Sequence, residues 1–169
     1  MKYWTILTAA LLAFANPNLS LKGGDAIFSY SLQGTKISGG QVDDLQTSNV
    51  ASITQTDKGK KIQFFLNDTY NDAADAFPHS LRFAIPGKTG TVTIGPGDDN
   101  WNVQLFVAAG ADGKYTLYGN DAFTITVSNI SATRVSGTFS GKMKGVSGKG
   151  ETMVITDGKF DVPLRNTGR

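Results

Sequence analysis

Cysteine is absent from the chain, and histidine occurs once, at His79. The first absence removes disulfides and thiolate metal centres, and a single imidazole cannot complete the usual zinc ligand sets. A Ser-His-Asp relay would have to use His79 as its base, yet no Gly-x-Ser-x-Gly elbow accompanies it. His79 therefore reads as a solvated histidine at a loop edge, and the chain as non-catalytic with no metal and no cofactor. Glutamate is almost missing too: of the 14 acidic residues only Glu151 is not aspartate. Aspartate and glycine in quantity favour turns and disfavour helix interiors. Lysine and arginine are scattered, for a formal net charge of +2. Without a basic stripe to displace phosphate counterions, a dedicated nucleic-acid surface is excluded.

Long apolar runs are also missing. Ile6 to Ala15 spans ten residues, about half of what a helix needs to cross a bilayer. Lys2 before that run and Ala13-Phe14-Ala15 at its end have the order of a cleaved secretory signal. The expectation is a signal over residues 1–15, a mature start at Asn16 and a single domain over 16–169, with no membrane span in the mature chain. Export to the periplasm or the extracellular space follows. Lipidation at the amino terminus would need a cysteine after the cleavage site. Without disulfides the domain must be held by packing alone, and its length allows roughly 68–70 % of the unfolded surface to be buried.

What is present is alternation. Phe28, Tyr30 and Leu32 share one face of the run from Ala26 to Gln33, closed by Gly34, with a break at Gly39-Gly40. Val50 to Thr56 and Lys61 to Asn67 flank Asp57-Lys-Gly-Lys60, a connection that predicts a hairpin. Ile62, Phe64 and Leu66 face one way there and Phe65 the other. Asn67 to Pro78 reads as a loop. Leu81, Phe83 and Ile85 alternate, then Val92 and Ile94. Trp101, Val103, Leu105 and Val107 share a face that Phe106 does not. Tyr115 to Tyr118 is a short strand, and Gly119-Asn-Asp121 predicts a turn. Asp121 to Ile130, Arg134 to Met143 and Met153 to Val162 form a closing meander, with Gly137 and Gly141 on the face of Val135, Phe139 and Met143. At Asp157-Gly158 the apolar parity flips, which predicts either a two-residue turn or a glycine bulge. About ten short strands without an amphipathic helix predict an all-β antiparallel sandwich, with a closed barrel as the alternative.

The runs Phe-Thr-Ile-Thr-Val-Ser-Asn-Ile, Val-Ser-Gly-Thr-Phe-Ser-Gly and Ile-Thr-Asp-Gly-Lys-Phe-Asp-Val resemble the carboxy-terminal part of small exported proteins of unknown function from Bacteroidota, many of them lipoproteins. The resemblance covers roughly the last 45 residues and implies an all-β exported domain. It brings no activity and no catalytic residue.

The sequence does not name a ligand, and two kinds of residue are candidates for a site. Loop aspartates could offer oxygen ligands to calcium, from Asp68, Asn71, Asp72 and Asp75 or from Asp98, Asp99 and Asn100. Neither group has the spacing of a calcium loop, and both read as solvated turns. Rings that leave the apolar parity are the stronger signal: Phe65, Phe106 and Tyr118, with Tyr70 in the long loop. Exposed together they would form a ligand-binding patch. The reading is an exported binding or envelope-associated module, with a glycan or a cell-envelope component as partner. A carbohydrate-binding module using these rings is one alternative. A barrel enclosing a small apolar ligand is another.

Overall fold

The computed structural model describes residues 26–40, 49–68, 78–96, 102–108, 115–146 and 151–166. Among these residues are ten strands and no helix: β1 (Ala26–Leu32), β2 (Thr35–Gly40), β3 (Val50–Thr56), β4 (Gly59–Asn67), β5 (His79–Pro86), β6 (Gly90–Ile94), β7 (Val103–Ala108), β8 (Tyr115–Ile130), β9 (Arg134–Gly145) and β10 (Thr152–Asn166). Residues 1–15, expected to be a signal, and Tyr70, Asn71, Asp72, Asp75, Asp98 to Asn100 and Trp101 lie outside the described residues. The all-β class follows from the alternation. Phe28, Tyr30 and Leu32 of β1, Ile62, Phe64 and Leu66 of β4, Leu81, Phe83 and Ile85 of β5, and Phe123, Ile125 and Val127 of β8 are all buried. Burying each such side chain contributes on the order of 1.5–3 kcal/mol.

The strands form one sheet in the order β2-β1-β10-β3-β4-β5-β7-β8-β6, and β9 bridges β10 and β8. Hydrogen bonding thus runs in a ring through β10, β3, β4, β5, β7, β8 and β9. The ring is not a regular barrel. Both long strands branch: β10 gives the edge opposite β9 first to β1 and then to β3, and β8 gives its own to β7 and then to β6. The β10–β3 link is parallel and covers three residue pairs, whereas the other ladders are antiparallel. Two walls result, β3–β4–β5–β7 and β8–β9–β10, packed in a sandwich-like way.

Three local readings change. Gly39-Gly40 form the last two residues of β2, inside its ladder with β1, because a hydrogen at Gly39 lets the Phe28 ring and the Asn67 carbonyl close in. A Cβ there would lie 2.4 Å from the ring and 2.3 Å from the carbonyl oxygen. The β3–β4 hairpin turns on Asp57-Lys58, since Thr56 already pairs with Gly59, whose φ of 105° suits glycine. Gly119-Asn-Asp121 is no turn: β8 runs through it, and Asp121 is the extra residue of a bulge between Asn120↔Met143 and Ala122↔Lys142. The Asn120 side chain holds the strands together there, donating to the Gly95 carbonyl and accepting from the Val103 amide. At Asp157-Gly158 the bulge is what forms. Asp157 sits at φ 54°, and β10 continues unbroken to Asn166, so Ile155 and Phe160 both point inward despite their opposite parity.

Between the walls the core is aromatic. Phe83 of β5 lies 4.5 Å from Phe64, 5.7 Å from Phe139, 6.1 Å from Phe160 and 6.4 Å from Phe123, measured between ring centroids. Each of four rings covers a glycine directly opposite on the neighbouring strand: Phe28 on Gly39, Phe160 on Gly137, Phe123 on Gly141 and Phe139 on Gly158. The small–large alternation of the closing strands is this packing seen along the chain.

Tyr30 is the polar exception in the core. Its hydroxyl is buried with no hydrogen-bond partner, and burial, followed by the negative charge of Asp68, pushes the phenol above its ordinary value of 10. The folded state therefore keeps this proton to higher pH than the unfolded state. Stability is fully present below pH 10 and falls above it, by roughly 1.4 kcal/mol per pH unit for one such group. Tyr30→Phe removes the unpaired hydroxyl and is expected to raise stability at pH 7 by about 1 kcal/mol. It should also flatten the decline above pH 10, leaving the share of Tyr118. Urea unfolding at pH 7 and pH 10.5 checks both, and a variant less stable than wild type at pH 7 would show that the hydroxyl is satisfied.

Candidate functional site

The two walls present different outer faces. On β8–β9–β10, Thr138, Ser140, Lys142, Lys144, Thr156 and Lys159 are exposed. Neighbouring threonines there bond one another, Thr91 to Thr126 at 2.9 Å and Thr93 to Thr124 at 3.5 Å. Such a face is an ordinary solvated sheet surface.

The outer face of β4, β5 and β7 is built otherwise. Antiparallel register places Phe65 opposite Arg82 and Arg82 opposite Gln104, while Gln63 sits opposite Ala84 and Ser80 opposite Phe106. Since Phe64, Leu81, Phe83 and Leu105 point inward and are buried, their alternate neighbours must point out. The Arg82 guanidinium lies 4.8 Å from the Phe106 ring centroid and 5.6 Å from that of Phe65, within cation–π range of both. Phe65, Arg82, Gln104 and Phe106 are half-buried, and Ser80 and Ala84 between them are buried. A shallow hollow lined by Gln63, Phe65, Arg82, Ala84, Asn102 and Gln104 opens here. Rings, amides and a guanidinium thus share one shallow surface, offering apolar faces beside both donors and acceptors.

Of the rings singled out in the sequence, Phe65 and Phe106 come together, through Arg82. Tyr118 does not join them. The bulge at Asp121 inverts the parity of β8, so Tyr118 points inward with Phe123 and is buried, its hydroxyl donating to Glu151 Oε2 at 3.2 Å. Burial, then the hydrogen bond and charge of Glu151, raise its phenol above the ordinary value. Tyr70 lies outside the described residues. Arg82 was missed. Its only signal was a lone cation between Leu81 and Phe83, at the outward position of an apolar strand.

His79 is not a solvated loop-edge residue. It is half-buried and bound to Asp68, the residue after β4, across the opening of the β4–β5 connection. The imidazole Nδ1 lies 2.7 Å from Asp68 Oδ2, the His79 amide donates to Oδ1 at 3.1 Å, and the Asp68 amide donates to the His79 carbonyl at 3.2 Å. Both carboxylate oxygens of Asp68 are thereby engaged by His79. An aspartate that orients an imidazole is half of a catalytic relay. The pair ties the end of β4 to the start of β5.

The interior offers no alternative site among the described residues. Aromatic rings fill it, and the surface hollows hold about 30 Å³ beside Ile85, Gly90 and Ile125 and about 20 Å³ beside Arg82, room for a water or two.

Fold and site together define an all-β, sandwich-like domain with one polar outer wall and one aromatic one. Comparison with family models, curated proteins and solved structures gave no match.

Proposed function

We propose that the protein is an exported, non-catalytic binding module that takes a glycan on the outer face of β4, β5 and β7. The observation that carries this reading is the Phe65–Arg82–Phe106 cluster. Sugar rings present apolar C–H faces and a rim of hydroxyls, so they are matched by aromatic rings set beside amides and a guanidinium. Gln63, Asn102 and Gln104 supply the amides around the hollow. The filled interior favours a surface site over an enclosed one. Export is supported by the order of charge, apolar run and small residues over residues 1–15.

A glycan array of plant, fungal and bacterial-wall oligosaccharides, followed by calorimetric titration of those retained, tests the reading. Phe106→Ala is expected to lower the affinity at least about tenfold, equivalent to ~1.4 kcal/mol, because it removes one of the two rings flanking the guanidinium. Thr124→Ala on the opposite wall should bind as wild type does. An array without a single retained sugar, or equal losses in the two variants, would overturn the assignment.

A further inference from the structure

We infer that the ligand of this face is a carboxylate-bearing glycan, a strand of uronic-acid units; this step rests on the glycan reading above. Strands β3, β4, β5 and β7 contain no aspartate or glutamate, although the chain has nearly as many acidic as basic residues. Cations, by contrast, stand on their outer side. Lys61 shares the outward parity of Gln63 and Phe65, and Arg82 lies between the rings. Arg165 extends the face from the end of β10, the strand that joins the two walls: it pairs with Ser52, which pairs with Gln63, while Leu164 and Ala51 are buried inside, and Asp161, the acid on the same side of β10, is engaged by Arg134 at 2.9 Å. Arg165 is half-buried, and its Nε is shielded from solvent without a hydrogen-bond partner.

A guanidinium matches a carboxylate through paired N–H groups, and a partly desolvated one does so more strongly than an ammonium. The two rings hold the Arg82 plane in place, so little freedom is lost on binding. Arg165 and Arg82 stand on strands three ladder steps apart, about 14 Å at the usual strand spacing. A linear chain of sugar units spans such a separation more readily than a single sugar does. Three cations spread over four strands make too sparse a field to displace phosphate counterions in the way nucleic-acid binding requires.

The test uses the full chain and three probes: a short oligogalacturonate, a cello-oligosaccharide of the same length and a single-stranded oligonucleotide. Oligogalacturonate should bind at least about tenfold more tightly than the neutral probe, and raising NaCl from about 20 mM to about 300 mM should weaken it several-fold. Arg165→Gln should lower that affinity several-fold and reduce the salt dependence, with the melting temperature as control for folding. If Arg165→Gln does not fold, the salt dependence of the wild type still decides. Equal binding of neutral and acidic sugars overturns the charge assignment and leaves the glycan reading standing. Failure of both sugars overturns both, as does preference for the oligonucleotide.

Discussion

Replacing Gly137 by alanine is expected to destabilise the fold by about 3 kcal/mol, at the upper end of overpacking costs, lowering the melting temperature by roughly 6–12 °C. The added Cβ would lie 2.1 Å from the Thr126 carbonyl oxygen and 2.7 Å from the Phe160 ring. The nearer obstacle is backbone on the adjacent strand β8, held there by the ladder, so no side-chain rotation relieves it. Gly137→Ala combined with Phe160→Ala should therefore recover nothing. Gly95→Ala is the control, because a Cβ there meets nothing within 4 Å. Thermal and urea unfolding of the variants decide the matter. A Gly137→Ala protein as stable as wild type would mean that β8 and β9 do not approach as closely as the aromatic–glycine pairing requires.

The second large effect belongs to Phe83, where alanine should cost about 3–5 kcal/mol. Its ring meets Phe64 on the adjacent strand and Phe123, Phe139 and Phe160 on the facing wall. The three facing rings are themselves seated on glycines, so they have little room to move into the space left behind. The loss is thus the transfer energy of the ring plus an unfilled cavity. Phe65→Ala, two residues before the β4 terminus and on the outer side, should cost less than half as much. Equal costs at the two positions would contradict the division into an inner and an outer face.

Much of the fold was legible because burial on one side of a strand leaves a period of two. Phe28 to Leu32, Ile62 to Leu66 and Phe123 to Val127 needed no more than that. Gly137 and Gly141 could be placed on the inner face, although the rings they accommodate could not be named without the register. The errors share a cause. Residues that suit turns also suit bulges, so Gly119-Asn-Asp121 has the composition of a turn, yet the strand continues through it. One unrecognised bulge then inverted Tyr118 from an outer ring to a buried one. Asp157-Gly158 posed the same ambiguity and resolved in the same direction.

The geometry of the candidate site was legible in part. Phe65 and Phe106 stand out by breaking parity, but their meeting depends on Arg82, whose partners are set by the order β4-β5-β7. A single charge in an apolar strand says only that it points outward. Asp68 and His79 are eleven residues apart and become neighbours only because β4 and β5 pair through Asn67 and Ser80. Nothing in their local sequence marks that closure.

The central claim, that ligand is taken on the aromatic outer wall, is tested most directly by mapping backbone amide shifts of labelled protein during titration with the tightest sugar from the array. The account predicts that the shifts concentrate at Gln63, Phe65, Arg82, Gln104 and Phe106 and leave Thr124, Thr138 and Lys142 unmoved. Shifts centred on the β8–β9–β10 wall would contradict it.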